Sequence, residues 1–202
     1  MIIAVVTALA AAIGVGVEIP RWLISRDDAS VEAGAVGVIG GDQQRLSSGT
    51  PASLAKGPFF PVAGDYEIGE GEGRFGASRG GRPHEGQDLF SHSGTPLVAA
   101  RDGVVIESKT ENSAMSGGRG NYIGIYSPVD KRTYVYLHML HPSPLKQGDG
   151  LKAGERIGQM GCTGSCYGTH LHFEIRLGHS LEAKPIDPLP IIKRWPQMDQ
   201  GG

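Results

Sequence analysis

The chain has 202 residues, a formal net charge of −2 and two cysteines. This length accommodates one domain with additional segments, and the near-neutral charge argues against the basic surface typical of nucleic-acid binding. The 32 glycines and 13 prolines favour a turn-rich β protein over a helical bundle.

The first 17 residues, MIIAVVTALAAAIGVGV, form an apolar run without a charged side chain. Seventeen residues is the short limit for a membrane span, and the run lacks the basic residues that normally open a secretory signal. We expect residues 1–26 to be a signal or membrane anchor of an exported protein; a buried core helix is the alternative. Arg21 and Arg26 follow the run, and the positive-inside rule would keep that flank in the cytoplasm, so the topology stays open.

Residues 27–56 are rich in Ala, Gly, Ser and Asp without a steady hydrophobic period. This composition is typical of a flexible linker or prosegment. At Gly57 the pattern changes, and we expect one domain over residues 57–192. A polar tail, 193–202, follows, in which Trp195 docks back onto the domain.

Short β-type runs separated by Gly, Pro, Asp or Ser fill the predicted domain. They are Pro58–Val62 as an edge strand, Pro96–Ala100, Gly103–Glu107, Tyr122–Tyr126, Thr133–Met139, Lys152–Gly158 and a strand that begins at His170. Because no stretch between 57 and 190 has convincing helical periodicity, the sequence predicts a mostly β, antiparallel fold with long loops.

The last of these strands contains two histidines, His170 and His172, two residues apart. Alternate residues of a strand share a face, so both imidazoles should point the same way, about 7 Å apart. Imidazole binds metals and transfers protons near neutral pH. A His-x-His pair alone is equally consistent with ordinary core or surface histidines.

A second cluster, His84-Glu85-Gly86-Gln87-Asp88, places an imidazole and a carboxylate four residues apart. On a strand these two side chains would share a face and could converge on one ion. With a further imidazole they make three ligands and leave the fourth position of a tetrahedral zinc for water, as in catalytic sites. In a third run, Tyr134, Tyr136 and His138 alternate, so we expect them on one face with His138 beside the metal.

Together these motifs resemble the lysostaphin/LytM-type zinc endopeptidases of bacterial cell walls. The resemblance covers about residues 58–190 and includes the local text Gly94-Thr95-Pro96 and Gly161-x-Thr163-Gly164. It implies an antiparallel β core with a long substrate groove walled by loops. It also implies peptidoglycan peptides as the substrate. Together with the apolar run of residues 1–17, this leads us to expect an exported protein that is secreted or anchored facing the wall.

The same resemblance assigns roles to individual residues. It implies one Zn²⁺ bound by His84, Asp88 and His172, with His138 and His170 beside the zinc water as proton-transfer or oxyanion-stabilising groups. Two other functions stay open: a catalytically silent activator of other wall hydrolases, and a wall-binding module without chemistry.

Several residues around these motifs have two interpretations. Tyr136 and Asn121 are candidate supports for the oxyanion or the substrate, with core packing and turn capping as the alternatives. Glu174 shares the predicted face of His172 and is either its support or a surface charge. Cys162 and Cys166 are expected to form a disulfide, since an exported protein allows one; two free thiols are the alternative. Arg74, Arg79 and Arg82 are expected to be ordinary solvated charges, with contact to substrate carboxylates as the alternative. His141 is expected to be an ordinary loop residue.

Overall fold

An eight-stranded antiparallel sheet is the main element of the computed structural model, which describes residues 57–111 and 118–198. Within those residues the strands are β1 Glu67–Ile68, β2 Ser78–Arg79, β3 Arg82–Pro83, β4 Gln87–Phe90, β5 Pro96–Val98, β6 Gly103–Glu111, β7 Gly120–Ser127, β8 Arg132–Met139, β9 Gly150–Leu151, β10 Arg156–Gln159, β11 His170–Leu177 and β12 Pro185–Ile186. Helical structure there consists of a 3₁₀ turn, Gly71–Gly73, and one short helix, α1 Leu189–Ile192. The prediction of a mostly β, antiparallel fold is confirmed.

Strand order explains how distant parts of the chain meet. The main sheet runs β1-β4-β11-β8-β7-β6-β9, with β12 also paired to β11. Strands β5 and β10 form a separate pair, as do β2 and β3. Because β11 lies between β4 and β8, it brings the three sequence motifs side by side.

The two faces of β11 have opposite characters. Leu171, Phe173 and Ile175 are fully buried in the main hydrophobic cluster, where Phe173 packs edge-on against Tyr136 of β8 with ring centroids 5.1 Å apart. Burying one such side chain contributes roughly 1.5–3 kcal/mol. A one-residue slip would turn these apolar groups outward, so their burial also fixes the direction of the polar face that carries His172.

The prediction of an edge strand over Pro58–Val62 is wrong. Only Val62 makes an isolated bridge, to Leu97. Pro58 and Pro61 lack the N–H groups that a regular ladder needs. The segment is nevertheless part of the core, since Phe60 is 1% exposed.

The end of the domain packs against its beginning. Trp195 lies edge-on to Tyr134 at 6.0 Å between ring centroids, and the Arg101 guanidinium lies 5.7 Å from the Trp195 ring centroid. The Phe60 N–H donates to the Pro196 carbonyl at 2.8 Å. The predicted docking of Trp195 is confirmed, and these contacts continue beyond Ile192.

The predicted anchor and linker, residues 1–56, lie outside the described residues. None of the helices within 57–111 and 118–198 has both the length and the apolar character needed to span a membrane.

Candidate metal centre

Three ligand-type side chains meet between β4 and β11. Asp88 Oδ1 lies 3.1 Å from His84 Nε2 and 3.0 Å from His172 Nδ1, and the two imidazole nitrogens are 2.8 Å apart. All three residues are buried, and their ligand atoms are close enough to hold one ion. These are the residues that the resemblance of the motifs implies as zinc ligands.

Strand register accounts for two members of this cluster. Asp88 and His172 are directly paired across β4 and β11. Directly opposed residues of an antiparallel pair have side chains on the same face, with Cβ atoms about 4.5–5.5 Å apart. The pairing that buries Phe173 and Leu89 therefore also brings the carboxylate to the imidazole.

His84 reaches the cluster by a different route from the one predicted. It lies between β3 and β4, not on a strand with Asp88, so the alternation argument was wrong although the convergence was right. The segment crosses close over β11 at Gly86, where a Cβ atom would lie 2.6 Å from the Phe173 carbonyl oxygen and 2.7 Å from His172 Nε2. Glycine at 86 allows this close approach.

Hydrogen bonds on the outer side of each ring fix which nitrogen carries the proton. His84 Nδ1 lies 2.8 Å from the Arg74 carbonyl oxygen, which can only accept, so Nδ1 is the donor and Nε2 presents its lone pair to the cluster. His172 Nε2 lies 3.0 Å from Glu174 Oε1, which leaves the lone pair of Nδ1 facing inward in the same way.

Two imidazole lone pairs and a carboxylate oxygen thus face one another without a donor among them. Such a set repels itself unless a cation lies between its members. Burial opposes charge on His172, but the neighbouring carboxylates of Asp88 and Glu174 raise the pKa of this imidazole, which is the direction expected where a cluster attracts positive charge. Two imidazoles and one carboxylate suit zinc with a coordination position left for water.

Two further imidazoles face this cluster. His170 Nε2 lies 3.7 Å from Asp88 Oδ1 and is buried without a hydrogen-bond partner in the described part of the chain. The ring centroid of His138 is 4.9 Å from that of His170 and 6.0 Å from that of His172. The two predicted proton-transfer histidines therefore lie together, beside the three ligand-type groups.

Main-chain carbonyl groups hold both of these rings. His138 Nδ1 donates to the Thr163 carbonyl and His170 Nδ1 to the Gly168 carbonyl, each at 2.8 Å. Burial lowers the pKa of His138 to about 4, with His170 and His172 adding to the effect, and burial also lowers the pKa of His170. Both rings are therefore neutral near pH 7, with the lone pair on Nε2.

Residues 82–188, which are 107 of the 202 residues, match the description "Peptidase family M23". The chain belongs to peptidase family M23.

Two relatives illustrate the extent of the M23 similarity. Lysostaphin from Staphylococcus simulans is 33% identical over 129 residues, which are 64% of this chain and 25% of that protein. The peptidoglycan DD-endopeptidase ShyC from Vibrio cholerae is 40% identical over 95 residues, 46% of this chain and 20% of its own length. The matched region is thus about a quarter or less of each relative.

Solved structures show the same M23 fold. The catalytic domain of lysostaphin from Staphylococcus simulans aligns with a TM-score of 0.54 and 34% identity, covering 63% of this chain and 92% of that one. A zinc-containing peptidase from Vibrio cholerae aligns with a TM-score of 0.51 and 31% identity, covering 63% of this chain and 37% of the other. The resemblance drawn from the three motifs is confirmed.

A β-bulge places His138 in the M23 site and separates it from Tyr136. Between the pairs Ile123–Tyr136 and Asn121–Met139, β8 contains one residue more than β7, and His138 has a left-handed φ of 63°. The prediction that His138 shares a face with Tyr134 and Tyr136 was therefore wrong. A bulge redirects the following side chains, and such backbone strain often occurs at functional sites.

Tyr136 is not at the site. Its side chain is fully buried in the main core, and its hydroxyl accepts a hydrogen bond from the Ala100 N–H at 2.9 Å. Of its two predicted roles, the structure places it in core packing.

Asn121 lies behind the site and holds a loop. Its side-chain amide donates to the Met139 carbonyl at 3.1 Å and accepts from the Thr110 hydroxyl at 2.7 Å, while its N–H donates to the Thr163 hydroxyl at 2.9 Å. Both ends of the amide are therefore occupied within the protein. Asn121 supports the segment whose carbonyl orients His138.

A buried chain of charges supports His172 on the side away from Asp88. Glu174 accepts from His172 Nε2 and from Arg176 Nε, the latter at 2.5 Å, and Arg176 also donates to Glu85 Oε2 at 2.6 Å. Glu174 and Arg176 are 4% and 3% exposed. Of the two interpretations of Glu174, the structure selects support of His172; Arg176 was missed, although strand alternation places it on the same face.

Arg79 is not the solvated charge that the sequence suggested. Its guanidinium donates to Asp88 Oδ2 and, at 2.8 Å, to the Glu72 carbonyl. Burial alone would raise the pKa of Asp88, but its interactions with the neighbouring imidazoles of His172 and His84 lower it below its ordinary value. Asp88 thus directs one oxygen to the cluster and the other to Arg79.

Two cavities flank the cluster and share Arg79 and Ser165 in their walls. One of about 280 Å³ is lined by Arg82, Arg119 and His138 among others. The second, about 420 Å³, is lined by Glu70, Tyr167 and His170 among others.

Proposed function

We propose that this M23 domain is a zinc-dependent endopeptidase that hydrolyses peptide bonds in bacterial peptidoglycan, within the stem peptide or the cross-bridge. The observation that carries the proposal is the convergence of three inward-facing ligand atoms, those of His84, Asp88 and His172, beside two neutral imidazoles. The relative ShyC supports the substrate class, since its name is that of a peptidoglycan endopeptidase.

His84, Asp88 and His172 would hold the metal through the atoms that face one another. When bound, zinc would polarise the substrate carbonyl and lower the pKa of a water towards about 7. Arg79 keeps the second oxygen of Asp88 engaged, and Glu174 holds the His172 ring with its Nδ1 lone pair inward.

His170 is the better placed of the two remaining imidazoles to accept a proton from the attacking water. Its Nε2 carries a lone pair, faces the cluster and has no competing partner in the described residues. The protonated ring would then return the proton to the leaving amine. His138 would stabilise negative charge on the former carbonyl oxygen only after its Nε2 has taken up a proton from solvent. A positioned acid–base group of this kind contributes typically 10²–10⁴-fold to the rate.

We also propose that the protein acts outside the cytoplasm, secreted or anchored by residues 1–17. The disulfide between Cys162 and Cys166 supports this location, because disulfides persist in oxidising compartments.

The test is digestion of purified peptidoglycans of several cross-link types by the purified full chain, with mass analysis of the released fragments. We expect one class of peptide bond to be cut, loss of cutting after treatment with a chelator, and recovery on addition of zinc. His172→Ala should bind no zinc and release no fragments.

Three results would contradict the proposal. Stoichiometric zinc with no fragments from any peptidoglycan would favour a silent activator, whereas unchanged function in His172→Ala would favour a wall-binding module. A stable wild-type chain that takes up no zinc would exclude the metallopeptidase.

A further inference from the structure

The segment before β11 joins the supports of both flanking histidines. Cys162 and Cys166 are bonded to each other, and residues 162–166 are called here the disulfide loop. The carbonyl of Thr163, inside this loop, orients His138. The carbonyl of Gly168, two residues after the loop, orients His170.

The first half of the disulfide loop is firmly attached to the sheet. The Thr163 hydroxyl donates to the Met139 carbonyl at 2.8 Å and accepts from the Asn121 N–H. Gly164 packs directly on Gly120, where an added Cβ would lie 2.3 Å from the Gly120 nitrogen. The Thr163 carbonyl thus has supports that do not involve the cysteines.

The second half has much less support. Tyr167 is 95% exposed, and Gly168, at a left-handed φ of 108°, has no atom within 4 Å of an added Cβ. Before it, Ser165 N–H donates to the Gly118 carbonyl at 2.9 Å. The exposed stretch is linked back to the attached half by the covalent bond between Cys166 and Cys162 and by the hydrogen bond from the Cys166 N–H to the Gly164 carbonyl at 3.1 Å. After it, the His170 N–H donates to the Gly161 carbonyl at 3.2 Å. Cys166 Sγ also lies 3.6 Å from His170 Nδ1.

We propose that the Cys162–Cys166 disulfide is a positioning device for His170, so that turnover depends on the oxidised loop whereas metal binding does not. The proposal rests on the proposed function, because His170 acts there as the proton-transfer group. In the described part of the chain no hydrogen bond joins either cysteine to the three ligands or to Arg79 and Glu174, so we expect opening the bond to affect the orientation of His170 selectively. The effect on His138 is small, because Thr163 keeps its attachments to Met139 and Asn121.

The test compares the full wild-type chain with the double variant C162S/C166S. We expect kcat on a peptidoglycan peptide to fall about tenfold or more, since small displacements of a reacting group have effects of this order. KM and zinc content should stay within twofold. The ¹⁵N spectrum of the imidazoles should show that His170 has lost its single Nδ1–H tautomer while His138 keeps it.

Reduction of the folded wild type provides a second route that does not depend on folding of the variant. A phosphine and one water convert the disulfide into two thiols and the phosphine oxide, and oxidised glutathione restores the bond while yielding two reduced glutathiones. We expect kcat to fall and then recover with this cycle. The serine variant, treated identically, should not respond, which excludes an effect of the phosphine on the metal.

An unchanged kcat in both the serine variant and the reduced wild type would overturn the proposal. Loss of zinc in parallel with activity would also overturn it, because the loop would then support the metal site. If the wild type itself hydrolyses nothing, the proposed function fails, and the His170 tautomer still decides whether the loop positions that ring.

Discussion

The three ligand-type residues and the two flanking histidines lie side by side but are held by different means. Asp88 and His172 are paired across adjacent strands, and charged side chains, Arg79 and Glu174, hold them from behind. His138 and His170 are held by main-chain carbonyl groups of one loop region. Damage to the first group should therefore reduce metal affinity, and damage to the second should reduce turnover alone.

The largest expected effect is at Asp88. Asp88→Asn keeps the volume of the side chain but removes the charge that faces both imidazoles and Arg79, so zinc binding and hydrolysis should be lost together. We expect activity to fall at least about a thousandfold, which corresponds to roughly 4 kcal/mol of transition-state stabilisation. Metal content and peptide release measure the two losses. Full zinc occupancy in this variant would contradict the assignment of Asp88 as a ligand.

The flanking pair should separate activity from metal binding. His170→Ala is expected to lower kcat by about a hundredfold or more and to retain one zinc per chain, because its imidazole supports no ligand. His141→Ala, which changes an exposed histidine, is the matched control and should behave like the wild type. A drop in zinc content on removal of His170 would show that this ring belongs with the ligands.

A smaller effect is expected behind His172. Glu174→Gln retains a hydrogen-bond acceptor for the imidazole but removes the charge, and changes of this kind typically cost 10–100-fold in metal affinity. Glu85→Gln alters the far end of the same chain, at a half-exposed carboxylate, and should cost less. Chelator competition measures both affinities. Equal affinities in Glu174→Gln and the wild type would remove Glu174 from the metal site.

The smallest functional effect is expected at Trp195, which contacts neither group. Trp195→Ala should lower the free energy of unfolding by about 1–3 kcal/mol, the common range for loss of packing, while kcat and zinc content stay unchanged. Denaturant unfolding measures the loss of stability, and an activity assay with a zinc determination measures whether kcat and zinc content stay unchanged. A change in zinc affinity would mean that the core and the metal centre are coupled through Tyr134.

Sequence patterns were sufficient where a periodic strand determines the outcome. The alternation along β11 correctly predicts that His170, His172 and Glu174 share a face, because the apolar residues between them must be buried together. The order of the three motifs and their local text gave the family and hence the fold.

The same patterns fail where the chain departs from regular strand geometry. The bulge at His138 inserts one residue into β8, and nothing in Tyr134-Val135-Tyr136-Leu137-His138 indicates an inserted residue. Arg79 lies in a glycine-rich stretch without periodicity, so its pairing with Asp88 depends on the turn between β2 and β3. The reason for a glycine at position 86 is its close contact with β11, which the sequence does not reveal.

The hydrogen bond between the Phe60 N–H and the Pro196 carbonyl has a consequence for how the domain can be built into larger proteins. Both ends of the folded unit emerge at one place, and Gln197 reinforces this by donating to the Val62 carbonyl at 3.3 Å. A unit with adjacent ends can be inserted into a surface turn of a host, or reopened elsewhere as a circular permutant, without stretching the host chain. The fold of residues 57–198 could in this respect be moved between host proteins as one unit.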